Sequence, residues 1–177
     1  GFIDIHFHGA AGYDIMEASP EEFKLISSYL AGSGATSFLA TTITSPKEKL
    51  QETIEKIRIS SGAEGRIGSS ILGAHVEGPY INEAKKGCHN PEWMRTPSLE
   101  EVRELKEKLD NGLKIHLTVA PEIEGALEFI KTAVQEGFTV SIGHSNASAE
   151  VVNRAIENGA GSFTHLFNAM RGIDHRE

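Results

Sequence analysis

Two histidines that stand one residue apart, His6 and His8, lie in an apolar segment close to the start of the chain. In an extended strand the side chains at positions i and i+2 point to the same face, so both imidazoles can reach one cation. Imidazole nitrogen is a common ligand of zinc and of other transition metals. Considered alone, the pair is equally compatible with two ordinary surface histidines.

Three later apolar segments also end in a carboxylate or an imidazole, at Glu77, His144 and His165. Taken singly, each has an ordinary explanation, either an exposed glutamate before a turn or a core histidine with satisfied hydrogen bonds. The carboxyl ends of parallel strands in a barrel meet at one rim. The recurrence of a carboxylate or an imidazole at the ends of these segments therefore favours a shared metal site. These ligand types suit zinc or iron(II) better than calcium or magnesium. We interpret His75, on the same side of its strand as Glu77, as a packing or supporting residue.

The segment Lys85-Lys-Gly-Cys-His-Asn-Pro91 follows the apolar segment that ends at Glu77 and is rich in turn-forming residues. His89 in this loop is well placed for contact with a substrate, although a solvated loop explains it equally well. Cys88 is the only cysteine, so an intrachain disulfide is excluded, and no base that would activate it as a nucleophile is identified. His116 is predicted to be buried or to line the interior of the fold.

The elements that must position these side chains alternate regularly along the chain. Apolar segments rich in β-branched and aromatic residues are each followed by a polar or Gly-rich break and then by helical periodicity, which predicts parallel strands joined by helices. Serine before proline, at Ser19-Pro20 and Ser45-Pro46, is typical of helix starts. The predicted strands cover residues 1–7, 36–41, 70–76, 114–119, 139–142 and 162–166.

Two α/β architectures satisfy this alternation, an open doubly wound sheet and a closed (β/α)8 TIM barrel. The doubly wound sheet normally carries a G-x-G-x-x-G loop after its first strand, and the segment after Phe7 contains none. The barrel is therefore favoured. Since six βα units are two fewer than a barrel requires, we expect residues 1–177 to form one domain of an incomplete barrel within a longer polypeptide.

Charge and hydropathy narrow the classes of partner. Acidic residues outnumber basic ones by 25 to 17, which gives a formal net charge of -8. A field of that sign repels polyanions, and no basic cluster with interleaved aromatic residues offsets it, so nucleic acid is not an expected partner. No apolar run is long enough to span a bilayer, and no secretory signal is recognised at the start of the chain, so a membrane is not expected either. We predict a cytoplasmic protein.

Five motifs in order resemble those of the N-acetylglucosamine-6-phosphate deacetylases, a family of the amidohydrolase superfamily. The similarity covers the whole chain, and five ordered motifs are far more specific than any one of them. The motifs are Gly1-Phe-Ile-Asp-Ile-His-Phe-His-Gly9, His75-Val-Glu-Gly-Pro-Tyr80, Lys85-Lys-Gly-Cys-His-Asn-Pro91, Gly143-His-Ser-Asn-Ala147 and Thr164-His-Leu-Phe-Asn-Ala-Met170.

The resemblance implies a metal-dependent deacetylase that converts N-acetylglucosamine 6-phosphate to glucosamine 6-phosphate and acetate. It implies that Glu77, His144 and His165 hold the principal divalent metal, zinc or iron, and that His6 and His8 can support a second ion. Contacts to the sugar phosphate are implied for a further set of residues, and a homodimer is implied for the full-length protein. The residues implied to contact the substrate are Cys88, His89, Asn168, Ala169 and Arg176.

The resemblance also places the aspartate that shuttles the catalytic proton on the eighth barrel strand. No residue of this chain matches it, so we expect it beyond Glu177, and we expect the 177-residue chain alone to be inactive. The small N-terminal β domain of the family is likewise expected to be absent.

Two alternative functions remain open at this point. One is another amidohydrolase, acting on a cyclic amide or a nucleobase, which could share the strand-end ligands. The other is a metal-binding half barrel without catalytic activity. The loop that contains His89 and the pair Asn168-Ala169 argue against the first alternative.

Overall fold

Helices and strands alternate along the protein, whose computed structural model describes residues 1–62, 68–110 and 112–173. Two short 3-10 helices, Glu83–Lys85 and Pro91–Trp93, follow the fifth strand. The other elements in chain order are β1 (Phe2–Phe7), β2 (Gly9–Ala10), β3 (Tyr13–Asp14), α1 (Pro20–Gly32), β4 (Ala35–Thr42), α2 (Lys47–Ser61), β5 (Ser70–Glu77), α3 (Leu99–Leu109), β6 (Lys114–Val119), α4 (Ala126–Gln135), β7 (Thr139–Ile142), α5 (Ala149–Glu157) and β8 (Ser162–Phe163).

The chain forms two compact units, and the first comprises Gly1–Val76 and Glu100–His116. Its strands lie in the order β1-β4-β5-β6, and the pairs β1–β4 and β4–β5 are parallel. Helix α1 contacts both α2 and β4. The apolar side chains of α1 and α2 recur every three or four residues and therefore share one buried face of each helix. They are Phe23, Ile26, Leu30, Leu50, Ile54 and Ile57.

The second unit comprises Glu77–Leu99 and the chain from Leu117 onward. Its strands follow the order β6-β7-β8, with β7 and β8 parallel. Helix α4 packs against β7 and α5 through a buried face that includes Phe129. The fully buried Tyr80 contacts Phe129 edge to face, with ring centroids 5.2 Å apart, and its hydroxyl donates to the carbonyl of Ser98. This packing holds the loop after β5 against the unit's core.

The predicted strands are all present, with small differences in length. The sixth predicted strand ends at Phe163, not at residue 166, because His165 has a positive φ of 54° and leaves the extended conformation. The short antiparallel hairpin of β2 and β3 was not predicted. In the parts of the chain that the structure describes, no helix combines the length and the apolar character that crossing a bilayer requires.

The two predicted helix starts have different outcomes. Ser19 caps α1 as predicted, since its hydroxyl accepts from the backbone N–H of Glu22 and the Glu22 carboxylate accepts from the N–H of Ser19. At the second start the prediction was wrong by one residue. The N-cap of α2 is Pro46, so Ser45 lies before the cap.

Gly73, in the middle of β5, allows an unusually close approach of two strands. Its φ is 151°, and a Cβ atom at this position would overlap with the backbone carbonyl oxygen of Lys114 on β6. Glycine meets both conditions, because it has no Cβ and adopts positive φ without strain.

Replacing Gly73 by alanine is therefore expected to lower the free energy of unfolding by about 3 kcal/mol, through steric overlap and backbone strain. Gly32→Ala is the matched control, because nothing lies within 4 Å of a Cβ at that helical position. Urea denaturation of both variants measures the difference. Equal stabilities of Gly73→Ala and Gly32→Ala would contradict the proposed close approach.

Candidate metal centre

A buried carboxylate lies at the centre of the candidate site. Glu77 is the last residue of β5 and is only 1% exposed. Its Oε1 lies 3.1 Å from Nε2 of His144 and 2.9 Å from Nε2 of His165. Two imidazoles that are 67 and 88 residues away along the chain thus point the same ring nitrogen at one carboxylate oxygen.

The two histidines occupy equivalent positions at strand ends. His144 comes two residues after the end of β7, and His165 comes two residues after the end of β8. Both have left-handed backbone conformations, with φ of 49° and 54°. A bulky residue adopts this conformation at a cost of roughly 1–3 kcal/mol, so the surrounding contacts must compensate for it. The imidazoles meet edge to face, with ring centroids 5.4 Å apart.

The hydrogen-bond partners of His144 indicate how its ring is protonated. Its Nδ1 lies 2.9 Å from the carbonyl oxygen of Lys85, which can only accept, so we assign the ring proton to Nδ1. In the neutral ring Nε2 then presents a lone pair to the Glu77 carboxylate. Two lone pairs at this distance repel each other unless a proton or another cation lies between them. The donor set of this site therefore fits a divalent metal ion.

His89 also lies at this carboxylate. Its side chain is 1% exposed, and its Nε2 is 3.6 Å from Oε2 of Glu77. One ligand atom from each of Glu77, His89 and His144 falls within 4.8 Å of the others. We call Glu77, His89, His144 and His165 the Glu77 cluster. All four residues belong to the second unit.

The first-strand pair, His6 and His8, is brought together within the first unit. Their Nε2 atoms are 3.0 Å apart, so either one ring donates to the other or both lone pairs face a cation. His75 packs edge to face against both His6 and His116, with ring centroids 4.7 and 4.6 Å apart. The Nδ1 atom of His75 lies 2.8 Å from the carbonyl of Ile5, which fits the interpretation of His75 as a supporting residue.

The residues implied to contact a substrate occupy different environments. Cys88 and Asn168 are exposed, and the Asn168 side chain donates to the carbonyl of Leu166. The carbonyl of Ala169 accepts from the backbone N–H of Ser145 at 3.1 Å. Arg176 lies outside the described residues. Their roles toward a substrate stay predictions.

Two contributors to the site were missed by the sequence analysis. The Lys85 carbonyl that faces His144 belongs to the backbone, so no residue type signals it. Glu122 was also missed, although a signal existed. It follows β6 by three residues, at the same kind of strand end as the other acidic and imidazole groups.

Comparison with known proteins decides the family. The sequence profile described as "Amidohydrolase family" matches residues 1–177. The chain belongs to the amidohydrolase family.

The similar proteins extend well beyond this amidohydrolase chain. N-acetylglucosamine-6-phosphate deacetylase of Vibrio furnissii is 39% identical over 177 residues, which are 100% of this chain and 44% of that protein. N-acetylgalactosamine-6-phosphate deacetylase of Escherichia coli O157:H7 is 34% identical over 176 residues, 99% of this chain and 46% of that protein. The chain thus spans less than half the length of these curated relatives.

Solved structures of similar deacetylases match the fold of this chain. N-acetyl-D-glucosamine-6-phosphate deacetylase from Mycobacterium smegmatis matches with a TM-score of 0.91 and 33% identity, covering 100% of this chain and 45% of that one. The enzyme from Thermotoga maritima matches with a TM-score of 0.83 and 36% identity, covering 100% of this chain and 46% of that one. The predicted fold, six βα units of the amidohydrolase TIM-barrel type, is confirmed by these matches.

The first unit of this amidohydrolase contains a histidine with an unusually low pKa. Burial, with a smaller contribution from the charge of His6, lowers the pKa of His116 to about 4, from an ordinary value of 6.5. The His116 side chain is therefore neutral in the folded protein at neutral pH.

The free energy of unfolding is expected to fall as the pH decreases from 6.5 toward about 4. In this range the unfolded chain binds a proton at His116 that the folded chain excludes, so stability is full above this window and is lost within it. The contribution of this residue is at most about 3 kcal/mol, from roughly 1.4 kcal/mol per pKa unit.

His116→Gln removes the titrating group and should give a shallower pH dependence. Urea denaturation of the wild type and the variant between about pH 7 and pH 5 measures both slopes. Identical pH dependence in the two proteins would contradict this assignment.

Proposed function

We propose that the protein is a metal-dependent deacetylase that hydrolyses the acetamide of N-acetylglucosamine 6-phosphate to glucosamine 6-phosphate and acetate. The observation that carries the proposal is the convergence of two imidazole Nε2 atoms on one buried oxygen of Glu77. Relatives named for this reaction match the chain from end to end, which supports the choice of substrate. The activity is proposed for a polypeptide in which this chain supplies the metal ligands.

The proposed ligands of the principal metal are Glu77, His144 and His165, and the metal is zinc or iron(II). One carboxylate and two imidazoles form a donor set typical of these ions. His6 and His8 are the proposed ligands of a second ion. His89 is a proposed substrate contact that lies beside the carboxylate, with its Nε2 at 3.6 Å from Oε2 of Glu77.

In the proposed reaction a water oxygen bonds to the acetamide carbonyl carbon, the C–N bond breaks and the departing amine takes up a proton. A divalent cation supplies Lewis-acid activation of the water and of the carbonyl when it is bound. The Lys85 carbonyl holds the His144 proton on Nδ1 and leaves Nε2 available as a ligand. The aspartate that the family carries on its eighth strand is proposed to accept the proton that the attacking water loses and to deliver it to the departing amine.

The remaining parts of the proposal concern the substrate contacts and the assembly. Cys88, Asn168, Ala169 and Arg176 are proposed to bind the sugar phosphate together with His89. A homodimer is proposed for the full-length protein. The cytoplasmic location predicted from the sequence stays a prediction.

A second candidate substrate is N-acetylgalactosamine 6-phosphate. It is favoured by one specific observation, the 34% identity to a deacetylase named for that sugar phosphate. The two substrates differ only in the configuration of one hydroxyl group, so the same metal site would serve either. Acetate release from both compounds at equal concentrations, measured with a polypeptide that extends this sequence through two further βα units, separates the candidates.

Glu77→Gln is expected to reduce the bound zinc or iron at least about tenfold, because it removes the negative charge between the imidazoles. Glu124→Gln is the matched control, since it makes the same chemical change at an exposed glutamate outside the Glu77 cluster. Elemental analysis of protein prepared without chelators gives the metal content per chain. Equal metal content in Glu77→Gln and Glu124→Gln would end the proposal of a metal site.

Catalysis needs a separate measurement. Acetate release is expected from a polypeptide that extends this sequence through two further βα units, and it should be lost in Glu77→Gln. The 177-residue chain alone should release no more acetate than its metal-free control, because no residue in it is proposed as the proton donor. No release by the extended, metal-loaded polypeptide would instead favour the non-catalytic metal-binding alternative.

A further inference from the structure

The carboxylate of Glu122 joins two segments of chain that flank the candidate ligand His144. Its Oε1 accepts from the side-chain amide of Asn82 at 2.9 Å and from the backbone N–H of Asn146 at 2.6 Å. Its Oε2 accepts from the hydroxyl of Ser145 at 2.7 Å. The Glu122 carboxylate thus accepts hydrogen bonds from two separate loops. Asn82 lies in the loop after β5, and Ser145 and Asn146 lie in the loop after β7.

On the β5 side the connection continues to the ring of His144. The side-chain oxygen of Asn82 caps the short 3-10 helix Glu83–Lys85 by accepting from the N–H of Ala84 at 2.8 Å. The last residue of that helix is Lys85, whose carbonyl faces Nδ1 of His144 at 2.9 Å. Asn82 also donates its backbone N–H to the carbonyl of His144 at 2.9 Å. Asn82 therefore links Glu122 to the backbone of His144 and to the acceptor for its imidazole.

On the β7 side Glu122 fixes the chain immediately after His144. The Ser145 hydroxyl that donates to Glu122 also accepts from the N–H of Ala147 at 3.0 Å. The N–H of Ser145 donates to the carbonyl of Ala169. These bonds hold the turn in which His144 takes its left-handed conformation, with φ of 49°. They therefore help to hold His144 in a conformation that is unfavourable for a side chain of this size.

We propose that Glu122 is a positioning residue for the metal ligand His144, because it holds both loops that orient the imidazole toward Glu77. This inference rests on the metal site of the proposed function and adds a residue to it. Removing a residue that orients a metal ligand, without binding the metal itself, typically lowers metal affinity by roughly 10- to 100-fold. Charge matters here as well, since a carboxylate accepts three hydrogen bonds without presenting a donor of its own.

The test uses Co²⁺ as the probe metal, because its visible absorption band reports the arrangement of its ligands. Glu122→Ala is expected to raise the Kd for Co²⁺ by roughly 10- to 100-fold and to change the band of the saturated site. Glu122→Gln should fall between the wild type and Glu122→Ala. Its amide oxygen still accepts from Asn82 and Asn146, whereas its amide nitrogen cannot accept from the Ser145 hydroxyl.

Glu124→Ala is the matched control. This exposed glutamate lies two residues away in the same loop and should leave both the Kd and the Co²⁺ band unchanged. Circular dichroism of the metal-free proteins verifies that each variant is folded. If Glu122→Ala does not fold, Glu122→Gln decides the question through the same two readouts.

Measuring Glu77→Gln in the same titration distinguishes failure of the positioning role from failure of the metal site itself. If Glu77→Gln loses Co²⁺ while folded Glu122 variants keep the wild-type Kd and band, the positioning role is overturned and the metal site stands. If Glu77→Gln binds Co²⁺ as tightly as the wild type, the metal site itself is overturned, and the role of Glu122 with it. A raised Kd and an altered band in the Glu122 variants, with neither change in Glu124→Ala, support the inference.

Discussion

The Glu77 carboxylate must be compensated where it lies, at the end of a strand and almost completely shielded from water. A buried charge without partners costs several kcal/mol. In the second unit the imidazoles of His144 and His165 face this carboxylate. Because the Nδ1 proton of neutral His144 is directed to the Lys85 carbonyl, its Nε2 stabilises the carboxylate only after taking up a second proton or sharing a cation with it. A divalent ion held by these residues would satisfy the lone pairs together, and its binding would then be coupled to the stability of this region.

The need to bring imidazoles to the Glu77 carboxylate also accounts for the backbone conformation of the two histidines. His144 and His165 both hold left-handed conformations that glycine would adopt at lower cost. Histidine at these positions is thus explained by the chemistry of its side chain and not by its backbone preference. At His144 the strain is compensated by the contact with the Lys85 carbonyl and by the hydrogen bonds of Ser145 and Asn146 to Glu122. Strain that is held in place by surrounding contacts is typical of functional sites.

The histidines of the first unit show that clustering alone does not define one chemistry. His6 and His8 approach each other through the ring nitrogens that would bind a metal. His116 differs from them, because burial keeps its ring neutral, and it serves as packing against His75. Burial and ring contacts therefore separate the candidate ligands His6 and His8 from the neutral, buried His116.

Much of the fold and part of the candidate site were predictable from residue order. Apolar segments separated by glycine and by helical periodicity predicted six strands, because strands covered on both faces need continuous apolar runs. Residue type and strand-end position were enough to select Glu77, His144 and His165 as candidates. The nearness of His89 to Glu77 was not predicted, since it depends on how a loop folds back after β5. Glu122 was missed for a related reason, because its partners Asn82, Ser145 and Asn146 meet it only through tertiary packing.

Residue order therefore specifies which acidic and imidazole side chains lie near the strand ends and what chemistry they can perform. Packing of the loops sets which ring nitrogen faces which oxygen, and which backbone carbonyl holds the proton on His144. Residue order does not specify these pairings, because hydrogen bonds act over a short range and are strongly directional. Their partners come from loops distant in the chain, and the geometry between them is set only when those loops pack together.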